Sequence, residues 1–358
     1  MSKPVIHQIV AGCRKGDAIS DEAMLLSAIF AENGYESRIH CARETTSQDA
    51  RASVGDLDEL PAVVKPGDLA LLHLSIGSRA NLVFPTLNCR RAILYHNVTP
   101  SRFFERLNPP MAAALDEGRR QVASLAGVAE INLADSEYNA GELRELGYRD
   151  VRVLPLVIDA QFGSGEIDPT MRARLADDGC FNILFVGRVV PNKRHDKLLQ
   201  VFHHFQHTVE PRSRLVIAGS SSGQEAYKSL LLGSVHTLEI QRVLMTEFIS
   251  APELNACYAT ASAFVCMSEH EGFCAPLLEA MAWDVPVFAD AQAAVPETLA
   301  GAGVLFHGAD SAMIAETIGK VVRDPALRDA VLDRQRRRLD AYRRRDVWAE
   351  LQALLLSL

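Results

Sequence analysis

No apolar run in this 358-residue chain approaches the roughly 20 residues needed to cross a bilayer, so a membrane-spanning helix is excluded. Cysteine is scarce and scattered: seven residues, odd in number, with no CxxC pair. That spacing argues against a zinc site or a disulfide frame and for reduced thiols in a cytoplasmic protein. GxGxxG and GxxxxGK[ST] are both missing, which removes the main support for NAD-binding and P-loop readings. Positive charge is not in excess. The net charge of −8 speaks against a nucleic-acid binder. Internal repeats and low-complexity segments are missing too, and the opening residues into Val5–Val10 are not expected to form a signal peptide.

What is present is ordinary for a globular protein, with 48% hydrophobic and 23% charged residues. The length suits two domains. Strand-like apolar runs alternate with helical patterns, as in Val5–Val10, Asp68–His73 and Ala92–Tyr95. The pattern restarts at Asn182–Val186, Arg214–Ala218, Val243–Phe248 and Ala263–Met267. Such alternation predicts parallel sheets covered by helices. The expected fold is therefore α/β with two doubly wound, Rossmann-like domains facing a central cleft. The expected domains are 1–157 and 158–339, with 340–358 packing back on the first.

Three segments carry candidate chemistry. Gly187-Arg188 ends a buried strand and Lys193 follows shortly after. A glycine there lets a phosphate approach the backbone, and two cations can hold it. A solvated basic loop explains the same letters. The second segment, Glu271-Gly-Phe-Cys-Ala-Pro-Leu-Leu-Glu279, places two carboxylates eight residues apart around a helix start at Pro276. Glu279 sits alone in an apolar helical run and needs a partner if buried. A ligand rich in hydroxyls and phosphate would serve both features; a capped core helix with two incidental glutamates is the alternative. The third is Phe248-Ile249, whose main chain could meet a base edge, followed by a capping box at Ser250 and Glu253. Asp56-Leu-Asp58 is a DxD by letter only, in a polar segment, and is discounted as a metal site.

Together these segments resemble the retaining glycosyltransferases of family 4, which have the two-domain GT-B fold. The resemblance rests on Gly187-Arg188 and Lys193, Ser268-Glu-His-Glu271-Gly-Phe, the glutamate pair, and Pro286-Val287 with Pro296-Glu297. It covers Asn182–Phe306 and extends to the first half through Tyr95-His96-Asn97 and Ala134–Tyr138. It implies transfer of a hexose from a nucleotide-sugar to a glycan or lipid-linked hydroxyl, with GDP-mannose favoured as donor and UDP-hexoses next. The setting implied is polysaccharide or O-antigen assembly. Arg188 and Lys193 would bind the diphosphate, Glu279 the ribose, and Glu271 the sugar hydroxyls. The backbone of Gly187, Gly272, Phe273, Cys274 and Ala275 would line the donor, with Phe248 and Ile249 near the base. His96 would face the sugar, so the catalytic set is Glu271, His96, Arg188 and Lys193. Gly16 and Asp17 would line the same cleft. No metal or other cofactor is expected. Two positions depart from the family: Cys274 and Asp284 stand where it often has glycine. The arginines between 334 and 345 suggest contact with an anionic membrane, against the alternative of a solvated helix face. A nucleotide-sugar epimerase and a non-catalytic binding subunit are the competing functions.

Overall fold

A computed structural model describes residues 3–159 and 162–356. The chain divides into two compact units. One comprises Met1–Arg102, Pro109–Asp159 and Arg345–Leu358; the other comprises Phe103–Asn108 and Ala160–Arg344.

The first unit holds a seven-stranded sheet of β1 (Ile6–Val10), β2 (Ser37–Cys41), β3 (Gly55–Asp56), β4 (Leu69–Leu74), β5 (Arg90–Tyr95), β6 (Ile131–Ala134) and β7 (Arg152–Val153). All pairings are parallel, in the order β3-β2-β1-β4-β5-β6-β7. β1 and β4 are buried at every position, as expected of strands covered on both faces. The helix Val347–Leu351 returns to this sheet, burying Leu351 and Leu355 among Ile6, Leu26, Leu71 and Leu133. Each such leucine contributes about 2 kcal/mol of transfer free energy. Arg345 fastens the crossing, donating to the Pro155 carbonyl at 2.9 Å and pairing with Glu350 at 2.6 Å.

The second unit holds β8 (Phe181–Val186), β9 (Ser213–Ala218), β10 (Val243–Met245), β11 (Ala263–Cys266), β12 (Val287–Asp290) and β13 (Val304–Phe306). Their order is β10-β9-β8-β11-β12-β13, again parallel throughout. The strand order reverses direction between β8 and β11. In open parallel sheets a crevice forms at that point, beyond the carboxyl ends of the strands.

One expectation needs correction. The strand expected over Val243–Phe248 stops at Met245, where the chain turns and the left-handed Glu247 (φ 58°) keeps only an isolated antiparallel bridge to Gly219. The polar segment around Asp56 contributes a short edge strand. There Asp56 pairs with Arg43 and Asp58 with Arg79, so both DxD carboxylates are held by arginines.

Candidate active site

The loops that leave β8 and β11 meet at the reversal point of the second sheet. Asn192 links them: its side chain donates to the His270 carbonyl at 3.1 Å, and its own carbonyl accepts from the Glu269 N–H at 2.9 Å. This brings together residues 78 apart in sequence, and Lys193 Nζ lies 2.5 Å from Glu271 Oε2. Glu271 is 7% exposed, so its charge needs the ammonium beside it. Burial works against the Lys193 charge, but the Glu271 carboxylate outweighs it and the net shift is upward. The sequence reading gave each residue to a ligand. In the structure each is the other's partner. Arg188 is exposed at the end of β8. Arg194, not singled out from sequence, opens the next helix at φ 52° and clamps Asp196 at 3.0 Å and Glu269 at 2.7 Å.

The two departures from family glycine have glycine-like backbones. Cys274 has φ 73° and Asp284 has φ 53°. Cys274 makes the left-handed turn from Glu271 into the helix Pro276–Ala282, and Asp284 leaves that helix in the conformation that favours glycine at a helix end. Asp284 also pairs with Arg336 at 2.9 Å. Phe273 and Cys274 are buried, whereas Gly272 and Ala275 are partly exposed.

Glu279 is half-buried on the helix, where Tyr258 Oη donates to its Oε2 at 2.6 Å. Burial raises the Glu279 carboxyl, and the tyrosine bond pulls it part of the way back. Oε1 carries no protein hydrogen bond among the described residues. Replacing Glu279 with Ala should weaken nucleotide binding about 10- to 100-fold through the loss of charge-assisted hydrogen bonds. Calorimetry would check this, and unchanged affinity would remove Glu279 from the site.

Phe248 and Ile249 follow β10, two strands away from β8. Phe248 is 74% exposed. The turn after β9 is tied down. Glu247 accepts from Ser221 N at 2.8 Å, Ser221 Oγ at 2.6 Å and Lys228 Nζ at 2.5 Å. Lys228 and Ser221 together hold the Glu247 carboxyl at about 2.

The other expected residues lie in the first unit. Gly16 is exposed at φ 81°, and Asp17 caps the helix Ala18–Glu32, accepting from Ser20 N at 3.1 Å and Ser20 Oγ at 2.9 Å. His96 follows β5 in a buried polar network. Its ring stacks on His73, with Nε2 3.1 Å from His73 Nδ1 and 3.5 Å from Glu22 Oε2, and Nδ1 3.4 Å from Asp135 Oδ2. Ser136 serves as a helix N-cap, while Asp135 accepts from Asn139 and faces His96. Glu22 was missed by sequence reasoning, since it looks like any charged residue on a surface helix. It is fully buried, and Val157 N donates to its Oε1 at 2.7 Å.

Burial pushes the Glu22 carboxyl up to about 7, against the pull of the His96 charge. Burial lowers His96, but Glu22 and Asp135 outweigh it and the net shift is upward. A carboxyl raised in the folded state stabilises the fold below its unfolded value near 4.5, and that stability is lost as pH rises through about 7. The raised histidine acts in the same direction. Relative to Glu22→Gln, the wild type should therefore lose about 3 kcal/mol between pH 5 and pH 8. Urea unfolding of both proteins across that range checks it; parallel profiles would show that Glu22 does not titrate there.

Four of the seven arginines between 334 and 345 are bonded within the protein, and Arg334, Arg337 and Arg344 are exposed. Arg336 pairs with Asp284, Arg338 donates to the Thr298 carbonyl, Arg343 to Phe162 and Arg345 to Pro155. No helix among the described residues is long and apolar enough to cross a membrane.

Comparison with known proteins bears on this geometry. Residues 167–340 match the family of glycosyl transferases group 1. That stretch contains Gly187, Lys193, Glu271 and Glu279, and it ends before the return to the first sheet. Among curated relatives, the Escherichia coli serotype-specific mannosyltransferase WbdA is 25% identical over 40% of this chain and 18% of its own length. A GDP-mannose-dependent alpha-mannosyltransferase of Mycolicibacterium smegmatis is 31% identical over 34% of this chain and 28% of its own. The chain thus spans well under half of these relatives. Among solved structures, Anabaena HepE in complex with UDP and glucose superposes with a TM-score of 0.75 at 15% identity, covering 99% of this chain and 100% of that one. WaaG, a glycosyltransferase involved in lipopolysaccharide biosynthesis, superposes with a TM-score of 0.68 at 12% identity, covering 98% and 100%. The fold is GT-B.

Proposed function

We propose that this protein is a glycosyltransferase that moves a hexose from a nucleotide-sugar to a hydroxyl of a glycan or lipid-linked acceptor, with retained anomeric configuration. The observation that carries the reading is the Lys193–Glu271 pair at the reversal point of the second sheet, with Arg188 on the loop that leaves β8 and the Tyr258-bound Glu279 on the helix after Glu271. In this reading the cations serve the departing diphosphate and the carboxylates serve the donor's hydroxyls. Transfer has an oxocarbenium-like transition state in which negative charge grows on the diphosphate. Arg188 and Lys193 stabilise that charge as it grows. Glu271 orients the sugar hydroxyls once the donor draws Lys193 toward its phosphates. A donor phosphate oxygen takes the acceptor proton on the face from which the leaving group departs. His96 is the catalytic assignment in the first unit. The reaction as proposed uses no metal, since two side-chain cations serve the leaving group, and EDTA should not reduce turnover.

The mannosyltransferase relatives favour GDP-mannose as donor; the UDP and glucose bound by HepE keep UDP-glucose next. Nucleotide release from a panel of GDP-, UDP-, ADP- and TDP-sugars, with and without saccharide or lipid-linked acceptors, tests the reading. Acceptor-dependent release from one donor, lost in Glu271→Ala, supports transfer. Conversion of a donor without acceptor would instead indicate an epimerase. Saturable nucleotide binding without turnover under any condition would indicate a binding subunit.

A further inference from the structure

We propose that Cys266, Cys274 and Glu271 form a binding site for a thiophilic divalent cation such as Zn2+, and that the bound cation blocks the donor pocket. Cys266 ends β11, and Cys274 occupies the left-handed turn before the helix Pro276–Ala282. The turn folds the segment back so that the two Sγ atoms lie 3.9 Å apart, with both residues buried. One carboxylate oxygen of Glu271 lies within 4.8 Å of both sulfurs. A tetrahedral zinc about 2.3 Å from each thiolate would hold the sulfurs about 3.8 Å apart. A disulfide needs about 2.05 Å. The observed separation, which two thiols in contact also adopt, needs no backbone movement to become that of two ligands on one ion.

Charge balance supports the same assignment. The buried group holds one carboxylate, one ammonium on Lys193 and two thiols, and is neutral when the thiols are protonated. Binding exchanges two thiol protons for one dication: two Cys–SH and Zn2+ give a zinc bis-thiolate and two released protons. The net charge of the buried site does not change, so no uncompensated charge is created. A small rotation of Glu271 supplies the third ligand, and water takes the fourth position. Glu271 cannot serve the ion, Lys193 and a sugar together. The effect on the donor therefore rests on the function proposed above, whereas the binding of metal does not.

The test uses the full reduced chain and the metal alone. Zinc titration by calorimetry should give one ion per chain, and Co2+ should produce thiolate-to-cobalt charge-transfer absorption. Cys266→Ala and Cys274→Gly should each weaken zinc binding more than about 100-fold. Glycine suits the left-handed backbone at 274, so that variant keeps the turn. Zinc affinity unchanged in both variants, or cobalt binding without thiolate absorption, overturns the site. In the donor assay, zinc should inhibit the wild type and spare Cys266→Ala, with EDTA restoring activity. Stoichiometric zinc binding that leaves turnover untouched overturns the blocking. Zinc binding in a protein that turns over no donor leaves the site standing and removes the transferase reading.

Discussion

Lys193→Ala should lower kcat/KM for transfer by about 100- to 1,000-fold, the usual effect of removing one fixed donor from a site where charge develops. A second consequence separates this residue from an ordinary phosphate-binding lysine. Lys193 Nζ is 2.5 Å from a carboxylate that is itself 7% exposed, so truncation leaves Glu271 buried and unpaired. Breaking a buried pair from one side costs about 3–5 kcal/mol, more than most single substitutions. The double variant Lys193→Ala/Glu271→Ala should recover much of that stability, because the orphaned charge is gone, and should recover none of the activity. Unfolding midpoints and steady-state rates of the four proteins in this cycle measure both effects. A single variant within threefold of wild-type kcat/KM would end the catalytic assignment. A double variant no more stable than Lys193→Ala would show that the pair is solvated rather than buried.

The pairing marks where sequence reasoning stopped. The parallel sheets were legible because each buried strand is a short apolar run and each run is followed by a helix pattern. β3, two residues long, carries no periodicity to read, and the left-handed Glu247 beyond the end of β10 follows from no propensity. The segments around Lys193 and Glu271 stood out individually for their chemistry. Their contact depends on Asn192 bonding the backbone of a loop 78 residues away, which no local pattern encodes. Tyr258 was invisible for the same reason. It looks like one more aromatic on a capped helix, yet it supplies the partner that a carboxylate in an apolar run must have. The departures at Cys274 and Asp284 were visible as positions; that both residues keep the backbone glycine would adopt is a property of the fold. Of the seven arginines between 334 and 345 that suggested a surface field, Arg338, Arg343 and Arg345 end on main-chain carbonyls and Arg336 on Asp284, while Arg334, Arg337 and Arg344 are exposed.

Gly219→Ala should destabilise the second unit by about 4 kcal/mol, while Gly223→Ala, four residues on, should cost about 1 kcal/mol. A methyl group on Gly219 would sit 2.0 Å from the Gly187 carbonyl oxygen, 2.6 Å from its carbon and 3.2 Å from Arg188 N. All three atoms are backbone, so no side chain can rotate away. The ends of β8 and β9 would have to separate. That movement endangers the bonds from Gly187 N to Ala218 O and from Val189 N to Ser220 O, both 2.9 Å. Two lost hydrogen bonds at about 1 kcal/mol each, with about 2 kcal/mol of overpacking, give the estimate. At Gly223 a methyl group meets nothing within 4 Å, and only its left-handed backbone (φ 74°) resists substitution. Urea unfolding of both variants decides the matter, and equal costs would mean that the β8–β9 ends yield freely. The strand ends cannot part without shifting Gly187 and Arg188, so donor affinity should fall in Gly219→Ala even where the protein is fully folded. The close approach that only glycine permits therefore holds the Gly187–Arg188 loop in place as well as the sheet.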